Sequence, residues 1–172
     1  MFVRTAGERD LKAVRELLIE TWHATYDDIY GPEKVTAITD DWHSMSALQR
    51  KLEMPRSEFV VADDGKAIAG IAFATVVDDG KTVKLQQLYV RPAMQGRGIG
   101  GLLLDEIENA FPEADKVRLE VEEKNAKAVA FYIGQGFSET GRTEQCGGKA
   151  DMPALVFERP ISWADEAPLR DS

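Results

Sequence analysis

Gln95, Gly96, Arg97, Gly98, Ile99, Gly100 and Gly101 run consecutively between a stretch that reads as a strand and one that reads as a helix. Glycines at such a junction let the backbone come close to a ligand, and the first amides of a helix have no internal partners. Those amides point one way with the helix dipole behind them, and Arg97 adds a fixed positive charge, so the turn suits a pyrophosphate. Downstream, Tyr132 offers a phenol and Asn125 an amide on one predicted helix, about two turns apart, so both can face one ligand. Asn125 is also a natural helix cap, and Tyr132 beside Phe131 also fits core packing. Glu120 and Glu122 supply carboxylates that can take a proton or can equally be solvated strand charges. Near the N-terminus, Trp22 and Tyr26 form one i, i+4 pair, and His23 and Asp27 form another on an adjacent face. That patch reads as an aromatic, acidic wall for a cationic amine, or as core packing beside a solvated edge.

The elements that must hold these groups follow from hydrophobic patterning. Phe2 to Thr5 reads as a short strand, and Leu11 to Tyr26 as an amphipathic helix with Leu11, Val14, Leu17, Leu18 and Trp22 on one side. Pro32 fits a helix start, Val35 to Ile38 a short second helix, and Asp40 or Asp41 a cap leading toward a helix at Ser46 to Leu52. Phe59 to Ala62 and Ala67 to Val77 are strands around the turn Asp63-Asp64-Gly65-Lys66, and Asp78-Asp79-Gly80-Lys81 repeats that turn. The meander ends in the strand through Leu85, Leu88, Tyr89 and Val90, which Pro92 stops. Ile99, Leu102, Leu103, Ile107 and Ala110 then make one helical face. Val117, Leu119 and Val121 alternate as the next strand, Asn125 to Tyr132 is a helix ended by Gly134 and Gly136, and Thr140 to Gln145 and Ala154 to Glu158 close the sheet.

Two ligands compete for the glycine turn. Gly96, Gly98 and Gly101 satisfy GxGxxG, and Glu120 stands where a ribose partner would sit, which describes a dinucleotide-binding oxidoreductase. Against it, Arg91 to Gln95 separate the strand from the first glycine. Too little chain follows for a second mononucleotide half, and the preceding segment reads as hairpins. The better match is Gln95-x-x-Gly98-x-Gly100, preceded by LYV and Arg91-Pro92, followed by VRLEV and by NAKAVAFYIGQGF from Asn125 to Phe137. Together these resemble the two cofactor motifs of the GNAT N-acetyltransferase superfamily, closely from Leu85 to Phe137 and more loosely outside it.

The resemblance implies a mixed α/β (α+β) fold, with a mostly antiparallel twisted sheet of about six or seven strands, a splayed fourth and fifth strand, and about four flanking helices. It implies an acetyl-CoA-dependent acyltransferase, direct attack of a primary amine in a ternary complex, and no metal. The implied cofactor set is Leu88, Tyr89, Val90, Gln95, Gly96, Arg97, Gly98, Ile99, Gly100, Gly101, Asn125 and Tyr132, with the backbones of Leu88 and Val90 holding the pantetheine arm and the acyl carbonyl. Tyr132 is the implied general acid. Many relatives carry a glutamate on the strand before the turn; Gln86 and Gln87 stand there, which leaves the base open between Glu120, Glu122 and no dedicated base. Acceptor binding falls to Trp22, His23 and Tyr26, for a small-molecule amine or a peptide or protein amine. A non-catalytic acyl-CoA sensor is the alternative that the missing glutamate favours and Tyr132 disfavours.

Composition sets the outer limits. The 172 residues suit one domain, 1–161, with a polar tail at 162–172. A net charge of -9 argues against nucleic acid as the main partner, since phosphate binding needs clustered cations. Cys146 is the single cysteine, which excludes a disulfide framework, and His23 and His43 have no ligand spacing with it. The start lacks an apolar leader and no run approaches membrane-spanning length, so no membrane partner and a cytoplasmic location are expected. Relatives in the superfamily are often homodimers; the sequence shows no interface of its own.

Overall fold

A computed structural model describes residues 1–143 and 153–161. Among these, strands β1 (Phe2–Thr5), β2 (Ser57–Asp63), β3 (Ile68–Val77), β4 (Thr82–Val90), β5 (Lys116–Glu122), β6 (Ser138–Thr143) and β7 (Ala154–Pro160) form one sheet in the order β1-β2-β3-β4-β5-β7-β6. Every pairing is antiparallel except β4 with β5. This is the mixed α/β architecture expected from the sequence. Five helices lie among the described residues, as many as the patterning reads along the chain: α1 (Leu11–Tyr30), α2 (Pro32–Trp42), α3 (Met45–Glu53), α4 (Ile99–Asn109) and α5 (Ala126–Gly134). Cys146 and the polar tail lie outside the described residues.

The sheet is buried on both faces. Against one, Leu103, Leu104 and Ile107 of α4 and Tyr132 of α5 pack on Val60, Ala62, Ala72, Ala74, Val83 and Leu85. Against the other, Leu11, Val14, Leu17 and Leu18 of α1 and Leu48 of α3 cover Phe59, Val61, Ile71 and Phe73. Each fully buried leucine of this kind contributes about 1.5–3 kcal/mol by leaving water. The i, i+3, i+4 spacing of α1 is therefore the spacing of its contacts with the sheet.

Several boundaries differ from expectation for local reasons. Helix α1 continues a full turn past Tyr26 to Tyr30, because the stop is Gly31, held at φ 86°. Pro32 then occupies the first turn of α2, which is eleven residues long rather than one short turn. Ser44, not Asp40 or Asp41, caps α3: its Oγ accepts from the Ala47 amide at 3.1 Å. At the start of α1, Arg4 of β1 donates to both Asp10 and Asp63, tying the helix entry to the sheet edge.

Two irregularities in β4 open the middle of the sheet. Ala74 pairs with Leu85 and Phe73 with Gln87, so Gln86 is an extra residue that bulges from the ladder. The parallel pairing with β5 runs only from Thr82–Lys116 to Leu85–Leu119. Beyond Leu85 the two strands part, while β5 stays paired with β7 through Glu122. The splay expected at the fourth and fifth strands is present and begins at the bulge.

Candidate active site

A cleft of about 1400 Å³ opens where β4 and β5 separate. Its central wall is the exposed edge of β4. Arg91 donates its amide to the Ala69 carbonyl of β3 at 2.8 Å. Amide direction alternates along a strand, so Tyr89 and Gln87 also face β3, while Leu88 and Val90 turn their amides into the gap. These are two fixed donors with no strand beside them. Gln95 returns to this edge: its Nε2 donates to the Val90 carbonyl at 3.0 Å, and its Oε1 accepts from Lys127 of α5 at 3.0 Å.

The glycine turn closes one end. Gly96 and Gly98 have φ of 79° and 81°, a backbone state that side chains disfavour, and a Cβ on either would meet nothing within 4 Å. The first intrahelical bond of α4 runs from Leu102 to Gly98, which leaves the amides of Ile99, Gly100 and Gly101 without helical partners. Gly96, Gly98, Ile99 and Gly100 line the cleft. Arg97 is exposed and does not line it, and a Cβ on Gly101 would point to the Gln135 side chain at 3.8 Å. The open space over two positive-φ glycines, beside free helix amides, fits phosphate groups.

Helix α5 brings Asn125 and Tyr132 to the other side. Asn125 caps the helix, its Oδ1 accepting from Ala128 at 3.2 Å, and its Nδ2 donates to the Tyr26 hydroxyl at 3.4 Å. Tyr132 is buried with its ring edge-on to Phe131 and Phe137, and it lines the cleft. Burial, and then the proximity of Tyr26, raise its pKa, so the phenol keeps its proton. Such a group can donate a proton to a developing anion and is unsuited to accept one.

The two carboxylates separate here. Glu120 is half-buried, lines the opening, and is the first β5 residue past the last pair with β4. Glu122 is buried; its Oε2 accepts from the Lys124 amide at 3.2 Å, and its Oε1 has no partner among the described residues. Among the described residues no three His, Cys, Asp or Glu side chains gather as a metal site, and no helix is long and apolar enough to cross a membrane.

Residues 26–153 match the GNAT acetyltransferase domain family. The chain belongs to that family. A probable N-acetyltransferase of Mycobacterium tuberculosis is 28% identical over 143 residues, covering 82% of this chain and 82% of the relative. The N-alpha-acetyltransferase RimI of the same organism is 34% identical over 108 residues, 60% of this chain and 66% of its own. In fold, the chain resembles the PaiA N-acetyltransferase of Thermoplasma acidophilum in complex with coenzyme A, with a TM-score of 0.83 at 22% identity, covering 93% of this chain and 98% of that one.

At the end of this GNAT cleft where the sequence reading expected the acceptor, the residues differ in part from that reading. Trp22 and Tyr26 line it with ring centroids 4.6 Å apart and planes tilted by 42°, and Trp42 is edge-on to Trp22 at 5.3 Å. His23 does not line it: its Nδ1 lies 2.6 Å from Asp27 and its Nε2 3.3 Å from Thr36, so the pair braces α1 against α2. The acidic part of the expected wall therefore points elsewhere. In its place stand His43, Arg50 and Lys51 at the α2–α3 junction and on α3, with Gln87 from β4. Sequence offered no signal for them, because they converge from separate elements. Burial, helped by Lys51 and Arg15, lowers the His43 pKa to about 4, so the imidazole is neutral.

Proposed function

We propose that this GNAT domain transfers the acetyl group of acetyl-CoA to a primary amine by direct attack in a ternary complex. The observation that carries the proposal is the gap past Leu85–Leu119, which lines up the Leu88 and Val90 amides, the phosphate turn and the Tyr132 hydroxyl along one cleft. The positive-φ glycines and the first amides of α4 hold the phosphates, and Asn125 and the β4 edge receive the pantetheine arm. The Leu88 amide donates to the acyl oxygen as negative charge develops there, the kind of fixed dipole that lowers an acyl-transfer barrier most. Nitrogen bonds to the acyl carbon, the carbon–sulfur bond breaks, and Tyr132 gives its proton to the departing sulfur. Glu120, at the opening of the gap, takes the proton that the attacking amine releases, directly or through water.

The acceptor is an amine on a small molecule, a peptide or a protein; the RimI relative is named for action on α-amines. Thiol release from acetyl-CoA against a panel of amines and peptides tests the reading. Release with an acceptor class supports it. Tight acetyl-CoA binding with no release across the panel would instead favour an acyl-CoA sensor.

A further inference from the structure

Helix α3 ends in Arg50 and Lys51, and both side chains line the acceptor end of the cleft. Nearby arginines have counter-charges: Arg15 lies 3.6 Å from Asp40, and Arg91 lies 2.5 Å from Glu20. Among the described residues Arg50 and Lys51 have none. Lys51 is half-buried, and its ammonium sits 5.3 Å from the centre of the Phe73 ring. Burial, and then repulsion from Arg50, lower its pKa. A cation drawn out of water beside a second cation is costly unless an anion joins them.

The surroundings of Lys51 do not supply that anion. Phe73 is the register partner of Gln87, and Gln87 Nε2 lies 3.4 Å from His43 Nδ1. With the amide donating to Nδ1, the ring proton is on Nε2, and both groups are uncharged. Asp41 also lines the cleft from α2 but is itself engaged. Glu120 and Glu122 belong to β5, at the splay. Among the described residues the floor therefore presents two uncompensated cations next to neutral polar groups and the rings of Trp22 and Trp42.

We propose that the acceptor carries a carboxylate in addition to its amine, and that this carboxylate seats on Lys51 with Arg50 beside it. The apolar body of the acceptor lies against Trp22 and Trp42, and the amine reaches the opening at Leu88. This rests on the acetyltransferase reading and narrows its acceptor class to amino acids, ω-amino acids or short peptides with a free carboxyl end.

The test compares acceptors that differ only there: phenylalanine, β-alanine and alanyl-phenylalanine, each against its carboxamide. Turnover is followed by thiol release, and binding of the corresponding N-acetylated acids and amides, with coenzyme A present, by tryptophan fluorescence. The expected result is roughly a tenfold or greater preference for the acid, which Lys51→Met erases while the coenzyme A affinity stays unchanged. Because no described residue compensates the lysine, Lys51→Met also leaves the melting temperature equal or higher. Equal or reversed preference in the fluorescence titration, or a preference that survives Lys51→Met, overturns the proposal. An acid preference in binding without thiol release from any acceptor would support the subsite and count against acetyl transfer.

Discussion

A Cβ placed on Gly100 would stand 2.9 Å from Cζ of Phe131, closer than side chains pack. The glycine is what lets α4 and α5 touch, and Phe131 is the neighbour of Tyr132 in sequence and in ring contact. Gly100 thus couples the phosphate helix to the helix that carries the proposed acid. Gly100→Ala should lower stability by about 1–3 kcal/mol despite alanine's better helix propensity, and should weaken acetyl-CoA binding. Thermal melts and a binding titration read both effects. Adding Phe131→Leu should restore much of the loss; an indifferent Gly100→Ala would mean the helices have slack.

Gly98 needs its freedom for a different reason. Nothing crowds its missing side chain, but its φ of 81° is unfavourable for other residues. Gly98→Val should cost about 1–2 kcal/mol or more and raise the acetyl-CoA dissociation constant. Gly98→Asn, which tolerates this backbone state, should be milder on both counts. If Val and Asn behave alike, conformation is not the constraint at this position.

Asp10 accepts from Arg4 at 2.9 Å and from the Gly7 amide at 2.8 Å, and the Arg4 bonds hold its carboxyl below the ordinary aspartate value of 3.8. A carboxylate with a depressed folded pKa adds stability that is present above the unfolded value and is lost as pH falls through the folded one. Asp10→Asn should therefore cost about 1–3 kcal/mol near neutrality, with the gap to wild type closing below pH 3.8. Urea titrations at several pH values give the comparison. A gap that is constant with pH would remove the ion pair from the account.

His43 acts in a higher window. Its pKa is about 4 in the folded protein against 6.5 when free, so between those values the unfolded chain binds the extra proton. Stability should rise with pH across that interval in the wild type. His43→Gln should lack that rise, whatever its absolute stability, when both are followed by thermal melts. Parallel curves would show that the imidazole is charged in the folded state.

The glycine turn is legible in the sequence because everything it needs is local: two glycines at positive φ, a helix start and a strand stop within a few residues. The sheet is legible for a related reason, since alternation and the Asp-Asp-Gly turns set the meander. The bulge at Gln86 is not, because an extra residue in β4 exists only relative to Phe73 and Ala74 of β3. The cluster of His43, Lys51 and Gln87 at one end of the cleft escapes the sequence for the same reason. His23 and Asp27 share a helix face with each other, but which way that face turns depends on Thr36 of α2. His43, Lys51 and Gln87 come from the α2–α3 junction, a helix and a strand, and no spacing rule joins them. The helix read from Leu11 ends at Tyr26, one turn short, although Gly31 and Pro32 carry the stop signal.

In the proposed reaction Tyr132 donates a proton to the leaving thiolate. Tyr132 lines the cleft and its hydroxyl has no hydrogen-bond partner among the described residues, so Tyr132→Phe should leave the fold and acetyl-CoA affinity intact. Thiol release with the best acceptor of the panel, measured for wild type and Tyr132→Phe, is the decisive comparison. The account predicts a fall in turnover on the order of 10²-fold at unchanged cofactor affinity. Turnover equal to wild type would contradict it and leave Tyr132 as a packing residue.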